Sequence, residues 1–282
     1  MSTSTARTAD ASGTREPAVS VRGVSQRFDT GRGSVQALQD VDLEIARGEF
    51  VSLIGPSGCG KSTLLRIVAD LVEPTAGEVR INGKSAHQAR LDHDYGIAFQ
   101  SAGLLEWRTV ARNVELPLGL HGAGRAERRA RVEELLALVG LSEFASARPS
   151  ELSGGMQQRV AIARALAENP SLLLMDEPFG ALDEMTRERM QAELLRISAE
   201  SSTSVLFVTH SIAEAVYLSD RVVVMSARPG RIADVVDIGL GRHETAEAGA
   251  DVREAPAFFD RVTRVRAALR GGPGGHPGVD DR

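Results

Sequence analysis

Residues 55–63 read Gly55-Pro56-Ser57-Gly58-Cys59-Gly60-Lys61-Ser62-Thr63. EFVSLIG, apolar and of strand character, leads into them, and KSTLLRIVADL, of helical character, leads out. The pattern G-x-x-x-x-G-K-[ST] therefore stands where a strand turns into a helix, the context in which it makes a phosphate cradle. Gly55, Gly58 and Gly60 remove side chains and permit positive φ, so that successive backbone N–H groups can curl round a phosphate at the positive end of the helix. Of 33 basic residues only Lys61 and Lys84 are lysines. A compact ammonium on a flexible stem reaches between β- and γ-phosphates inside a narrow loop, where a planar guanidinium does not fit the same way. Ser62 offers a hydroxyl to Mg²⁺ and Thr63 a further phosphate contact.

Working outward, AVSVRGV, DYGIAF, SLLLMD, TSVLFVT and RVVVMS alternate with longer segments of helical period. That rhythm predicts an α/β domain with a largely parallel sheet. SLLLMD and SVLFVT are apolar on both faces, the mark of central strands covered on each side. Val132, Leu135, Leu136 and Val139 define one amphipathic helix, and Phe258, Val262, Val265 and Leu269 another; Phe258 and Phe259 are expected to pack the latter onto the core. Residues 1–17 and 271–282 are poor in groups to bury and are expected to be disordered tails.

The 282 residues carry a net charge of −5, with no arginine stripe, so the charge pattern speaks against a nucleic-acid surface. No stretch approaches 18 consecutive apolar residues, so neither a membrane span nor a secretory leader is expected. The single cysteine, Cys59, excludes an internal disulfide and reads as a small filler between two glycines.

Leu172 to Met175 run into Asp176 and Glu177, with Pro178 ending the strand. Ligands of open α/β sheets collect at strand carboxyl ends, so Asp176 is placed to hold Mg²⁺ through water. Glu177 faces a water able to attack a γ-phosphate. LSGGMQQR, residues 152–159, precedes a second helix: Ser153 is a natural N-cap, and Gly154 and Gly155 leave the first N–H groups uncovered, a second anion site.

Phosphate loop, LSGGMQQR, LLLMDEP and VTH, in this order, resemble the nucleotide-binding subunit of ABC transporters over roughly residues 18–240. The resemblance implies a P-loop NTPase of the α/β class, an ABC ATPase with an antiparallel β subdomain and a helical signature subdomain at about 101–168. A helical extension at 241–270 follows. It implies ATP and Mg²⁺ as ligands, with Gly55, Ser57, Gly58, Cys59, Gly60, Lys61, Ser62 and Thr63 on the nucleotide and Ser62, Gln100 and Asp176 on the metal side. Catalysis falls to Glu177, His210 and Gln100, the last matching the Q-loop glutamine and His210 the switch histidine. Ser153, Gly154, Gly155 and Gln157, in the signature motif, are implied to close over the γ-phosphate of a second copy in a head-to-tail homodimer. Asp183 matches an aspartate that communicates across that dimer. Phe28 sits where the family stacks an aromatic on adenine, a core phenylalanine being the other reading.

LLEWRTVARNVELPL and DRVVVMSARPGRI resemble the importer subfamily for nitrate, aliphatic sulfonates and taurine, with Glu106 standing in place of its usual proline. That subfamily implies membrane permease partners, an extracytoplasmic solute-binding protein and a peripheral place on the cytoplasmic face of the membrane. Trp107 would suit a docking groove for the permease, or else the core of the helical subdomain. An exporter is the nearer alternative. A non-transport ATPase acting on DNA or ribosomes is the farther one, since only about 90 residues separate Lys61 from Ser153, too few for a long coiled-coil insertion.

Overall fold

The computed structural model describes residues 16–31, 33–240 and 251–271. The expected tails at 1–15 and 272–282 lie outside the described residues, as do positions 241–250 of the C-terminal extension.

A six-stranded sheet has the order β10-β9-β3-β8-β7-β6, from Ile232–Asp237, Arg221–Met225, Phe50–Ile54, Ser204–Val208, Leu172–Asp176 and Tyr95–Ala98. Its strands run parallel except β10, which pairs antiparallel with β9. Side chains alternate between faces along a strand, so each central strand feeds two cores at once. Leu173, Met175, Val205, Phe207, Val222 and Val224 face one core; Leu172, Leu174, Leu206, Val208, Val223 and Met225 face the other. This is why the runs read as apolar without alternation.

The second core is shared with α1 (Lys61–Val68), through Leu64, Leu65, Ile67 and Val68, and with an antiparallel sheet of order β2-β1-β4-β5. Those strands are Gly33–Ile45, Val19–Thr30, Ala76–Ile81 and Lys84–Ser85, followed by the short α2 (Ala86–Leu91). The first core is covered by α6 (Gly154–Ala165), α7 (Glu184–Ser201) and α8 (Ile212–Leu218). It runs on into the helical arm of α3 (Val110–Val114), α4 (Leu116–Leu120) and α5 (Arg125–Leu138). Val132, Leu135, Leu136 and Val139 are all buried there. Trp107 and Leu120 stand out from this arm, 72% and 73% exposed.

Beyond residue 250 the chain forms α9 (Asp251–Glu254) and α10 (Pro256–Gly271), the latter lying against α8 and β9. Phe258 and Val265 are buried. Phe259 departs from expectation: it is 58% exposed and meets Phe258 only edge-on, because consecutive helical positions diverge by about 100° and one face alone can reach the core. No helix among the described residues is long and apolar enough to cross a membrane.

Candidate functional site

Strands β3, β8, β7 and β6 are consecutive neighbours in the sheet and parallel, so their carboxyl ends open on one edge. That edge receives the phosphate loop from β3, His210 after β8, Asp176 and Glu177 from β7, and Gln100 after β6. A cleft of about 590 Å³ lies there, lined by Ser57, Gly58, Gly60, Lys61, Ser62, Thr63, Gln100, Glu177 and His210, with Phe28, Val35, Ala37 and Arg228 along its rim.

α1 starts at Lys61 with no side-chain cap, its N-cap being Gly60 in the left-handed region at φ 105°. A Cβ at Gly60 would lie 2.6 Å from Leu38 Cδ2, so only glycine fits both this backbone and this neighbour. The ammonium of Lys61 is folded back into the loop, donating to Gly55 O at 2.8 Å and Pro56 O at 3.1 Å. Cys59 is buried beside it, with Sγ 3.8 Å from Lys61 Nζ, as a filler would be.

Ser62 Oγ donates to Asp176 Oδ1 at 2.8 Å. Asp176 is buried, and desolvation pushes its carboxyl above the usual range, with Ser62 and Arg66 pulling the other way. A hydroxyl and a buried carboxylate form a hard-oxygen pair that suits Mg²⁺, an ion that takes one or two protein ligands and fills its octahedron with phosphate and water oxygens. No group of three or more His, Cys, Asp or Glu side chains able to hold a metal stands among the described residues.

Glu177 follows Asp176 with φ 48°, an uncommon conformation for a residue with a side chain, pinned by its own N–H to Val208 O at 2.9 Å. Its side chain meets residues that follow both neighbouring strands, β6 and β8. Gln100 Nε2 donates to Glu177 Oε2 at 3.2 Å, and His210 Nδ1 stands 3.3 Å from the same oxygen. Three residues singled out separately thus meet at one carboxylate oxygen. Behind them, the hydroxyl of Thr209 donates to Glu214, whose other oxygen accepts from Gln191 Nε2 at 2.7 Å. Arg253 of α9 in turn donates to Gln191 Oε1 and lies over the Tyr217 ring at 4.1 Å. The sequence reading missed this polar support, since no local pattern ties residue 191 to 214 or 253.

Phe28 is 39% exposed on the cleft rim, paired across the hairpin with Val35. The remaining candidates do not line the cleft. Ser153 caps α6, accepting from Met156 N at 3.3 Å, and Gln157 donates to Pro149 O at 2.9 Å. Gly154 faces open space, whereas Gly155 lies against the backbone of Ala181 and Leu182. Asp183 caps α7 through Thr186 N at 3.0 Å, a bond that holds its carboxyl below the usual range. Arg228, which lines the cleft, lies in the stretch DRVVVMSARPGRI that carries the importer resemblance, but nothing in that stretch gave the residue a role of its own.

A family model described as ABC transporter matches residues 38–180. The chain is 48% identical over 238 residues to a taurine import ATP-binding protein of Rhizobium johnstonii, covering 84% of this chain and 90% of that protein. It is 44% identical over 253 residues to a nitrate import ATP-binding protein of Synechocystis, covering 89% and 94%. Among solved structures, it is similar to the dimeric post-hydrolysis state of an ATP-binding cassette bound to ADP and Pi, with TM-score 0.72, 39% identity, and coverage of 78% of this chain and 98% of that one. With a model match over half its length and relatives this similar over most of theirs, the chain belongs to the ABC transporter family, as one of its ATP-binding subunits.

Proposed function

We propose that the chain hydrolyses ATP to drive a membrane importer for nitrate, taurine, an aliphatic sulfonate or a related small solute. Residues 18–240 serve as the ATPase domain and 101–168 as its helical signature subdomain. The observation that carries this reading is the meeting of Gln100 and His210 at Glu177 Oε2, in the cleft that the phosphate loop also lines.

The uncapped start of α1 and the N–H groups of the loop receive the β- and γ-phosphates, and Lys61 swings from the carbonyls of Gly55 and Pro56 onto them. Phe28 takes the adenine on its exposed face. Ser62, Asp176 and Gln100 are the residues that would hold Mg²⁺, which would supply charge neutralisation and Lewis-acid polarisation at the phosphates. Glu177 orients the attacking water and accepts its proton, while Gln100 and His210 hold its carboxylate in place. Catalysis then rests on positioning and charge stabilisation rather than on covalent chemistry.

Ser153, Gly154, Gly155 and Gln157 lie away from this cleft and supply the opposing helix start for the nucleotide of a second copy, with Asp183 beside that contact. The relatives' names support a permease partner on the membrane, and the exposed Trp107 and Leu120 of the helical arm suit its docking. An extracytoplasmic solute-binding protein completes the importer, and the chain works peripherally on the cytoplasmic face.

The test is capture of membrane proteins on a tagged Glu177→Gln chain with and without ATP. A multi-span permease held alongside it is the expected result. Ribosomes or DNA-repair proteins in its place would assign the ATPase to another task.

A further inference from the structure

We infer that Arg228 is a positioning residue of the phosphate loop, one that sets nucleotide affinity by holding the Gly58–Cys59 peptide; the inference rests on the nucleotide reading of the cleft. Arg228 projects from the turn between β9 and β10 and places Nε 3.2 Å and Nη2 3.1 Å from Gly58 O, so two N–H groups on one guanidinium edge grip a single carbonyl. In a trans peptide the carbonyl of one residue and the N–H of the next point in opposite directions. Holding Gly58 O outward therefore turns Cys59 N–H inward, where it donates to Pro56 O at 3.3 Å, the carbonyl that Lys61 Nζ also occupies. Both donors on Pro56 are thus poised to transfer to an incoming phosphate, one by a side-chain swing and the other by a peptide whose plane Arg228 has already set.

The turn that carries Arg228 is itself rigidly seated. Gly230 N donates to Ala37 O, and Gln39 N to Gly230 O, both at 2.9 Å, which stitches the turn to β2. A Cβ on Gly230 would lie 1.9 Å from Cys59 O, so the turn's backbone is pressed directly against the phosphate loop. Ser226 Oγ accepts from Arg231 N at 3.1 Å and closes the turn from within. Arg228 also lines the cleft itself, together with Lys61. A site supported by a rigid neighbour holds its geometry better than one built on the loop alone.

The experiment is titration calorimetry of ADP with Mg²⁺ on the full chain, beside melting temperature and ATP hydrolysis, in R228A, R228K and K61A. R228A is expected to weaken ADP binding about 5- to 10-fold and raise KM for ATP similarly. Its kcat should stay within about twofold of the parent and its melting temperature within about 2 °C, as for an exposed side chain. R228K keeps the charge but loses the two-donor fork, so it is expected to recover less than half of the lost affinity. Unchanged ADP affinity in R228A overturns the inference, and so does full recovery in R228K, which would leave charge alone as the contribution. K61A separates the two layers: normal binding in K61A brings down the nucleotide reading itself, whereas impaired K61A with normal R228A brings down only the role of Arg228.

Discussion

The molecule carries two glycine-rich helix starts, at α1 and α6, and they are built differently. At the start of α1 one chain gathers a lysine folded into the loop, a buried Asp176 bound to Ser62, and a Glu177 contacted by residues that follow two neighbouring strands. At the start of α6, Ser153 caps the helix, Gly154 faces open space, and none of the cleft's charged side chains is near enough to share a lining. The first start sits on the sheet edge where four strand ends converge; the second opens a helix that covers the core, with Gly155 against Ala181 and Leu182 and Gln158 donating to Phe99 O. The first start is surrounded by charged side chains of its own chain; the second is not, and on the proposed reading it faces the nucleotide of a second copy.

The sharpest way to break this contrast is Glu177→Gln. Turnover should fall by about 10²- to 10⁴-fold, the range for loss of a general base, with ATP affinity held within about threefold and a nucleotide-bound dimer accumulating on a sizing column. Hydrolysis at the parental rate would remove Glu177 from the chemistry. Gly154→Asp tests the second start. A side chain there meets nothing within 4 Å, and a carboxylate at a helix N-terminus favours the helix, so the fold should be intact. ATP binding to the single chain should be unchanged, turnover should drop about 100-fold, and the dimer trapped by Glu177→Gln should disappear in the double variant. A persisting dimer would show that α6 does not face the partner's phosphate.

The smallest effect concerns the support behind the first region. Burial pushes Glu214 above the usual glutamate value of 4.5, partly offset by hydrogen bonds from Thr209 and Gln191 and by the nearby Arg187 and His210. A carboxyl with a raised folded pKa binds more protons folded than unfolded, so its contribution to stability is greatest at low pH and is lost as pH rises through the folded value. Glu214→Gln removes that titration. Between pH 5 and 7.5 the melting temperature of the variant should therefore gain on that of the parent by a few degrees; a difference that stays constant with pH would break the assignment.

Legibility followed locality. The phosphate loop reads directly because nine consecutive residues form it and their neighbours announce strand and helix. Asp176 and Glu177 read nearly as well, since two acids after four apolar residues mark a strand end. Phe259 misled because the sequence shows that two adjacent aromatics belong to a helix but not which of them faces inward. The contact of Arg228 with Gly58 was not legible, although DRVVVMSARPGRI was singled out, since the two chain segments it joins are 170 residues apart.

By itself, the sequence determined the elements and their chemistry: glycines and a lysine at a strand-to-helix turn, apolar runs long enough for buried strands, and a serine cap before two glycines. These depend on neighbours within a few residues, where backbone sterics and local hydrogen bonds decide. Only the tertiary structure decided which strand ends stand side by side. It is the order β3-β8-β7-β6 that gathers Gln100 and His210 on one oxygen of Glu177 and gives the buried Asp176 its hydroxyl partner, and the seating of the β9–β10 turn that lays Arg228 on Gly58. Those contacts are set by packing both faces of one sheet, a condition that no short stretch of sequence contains.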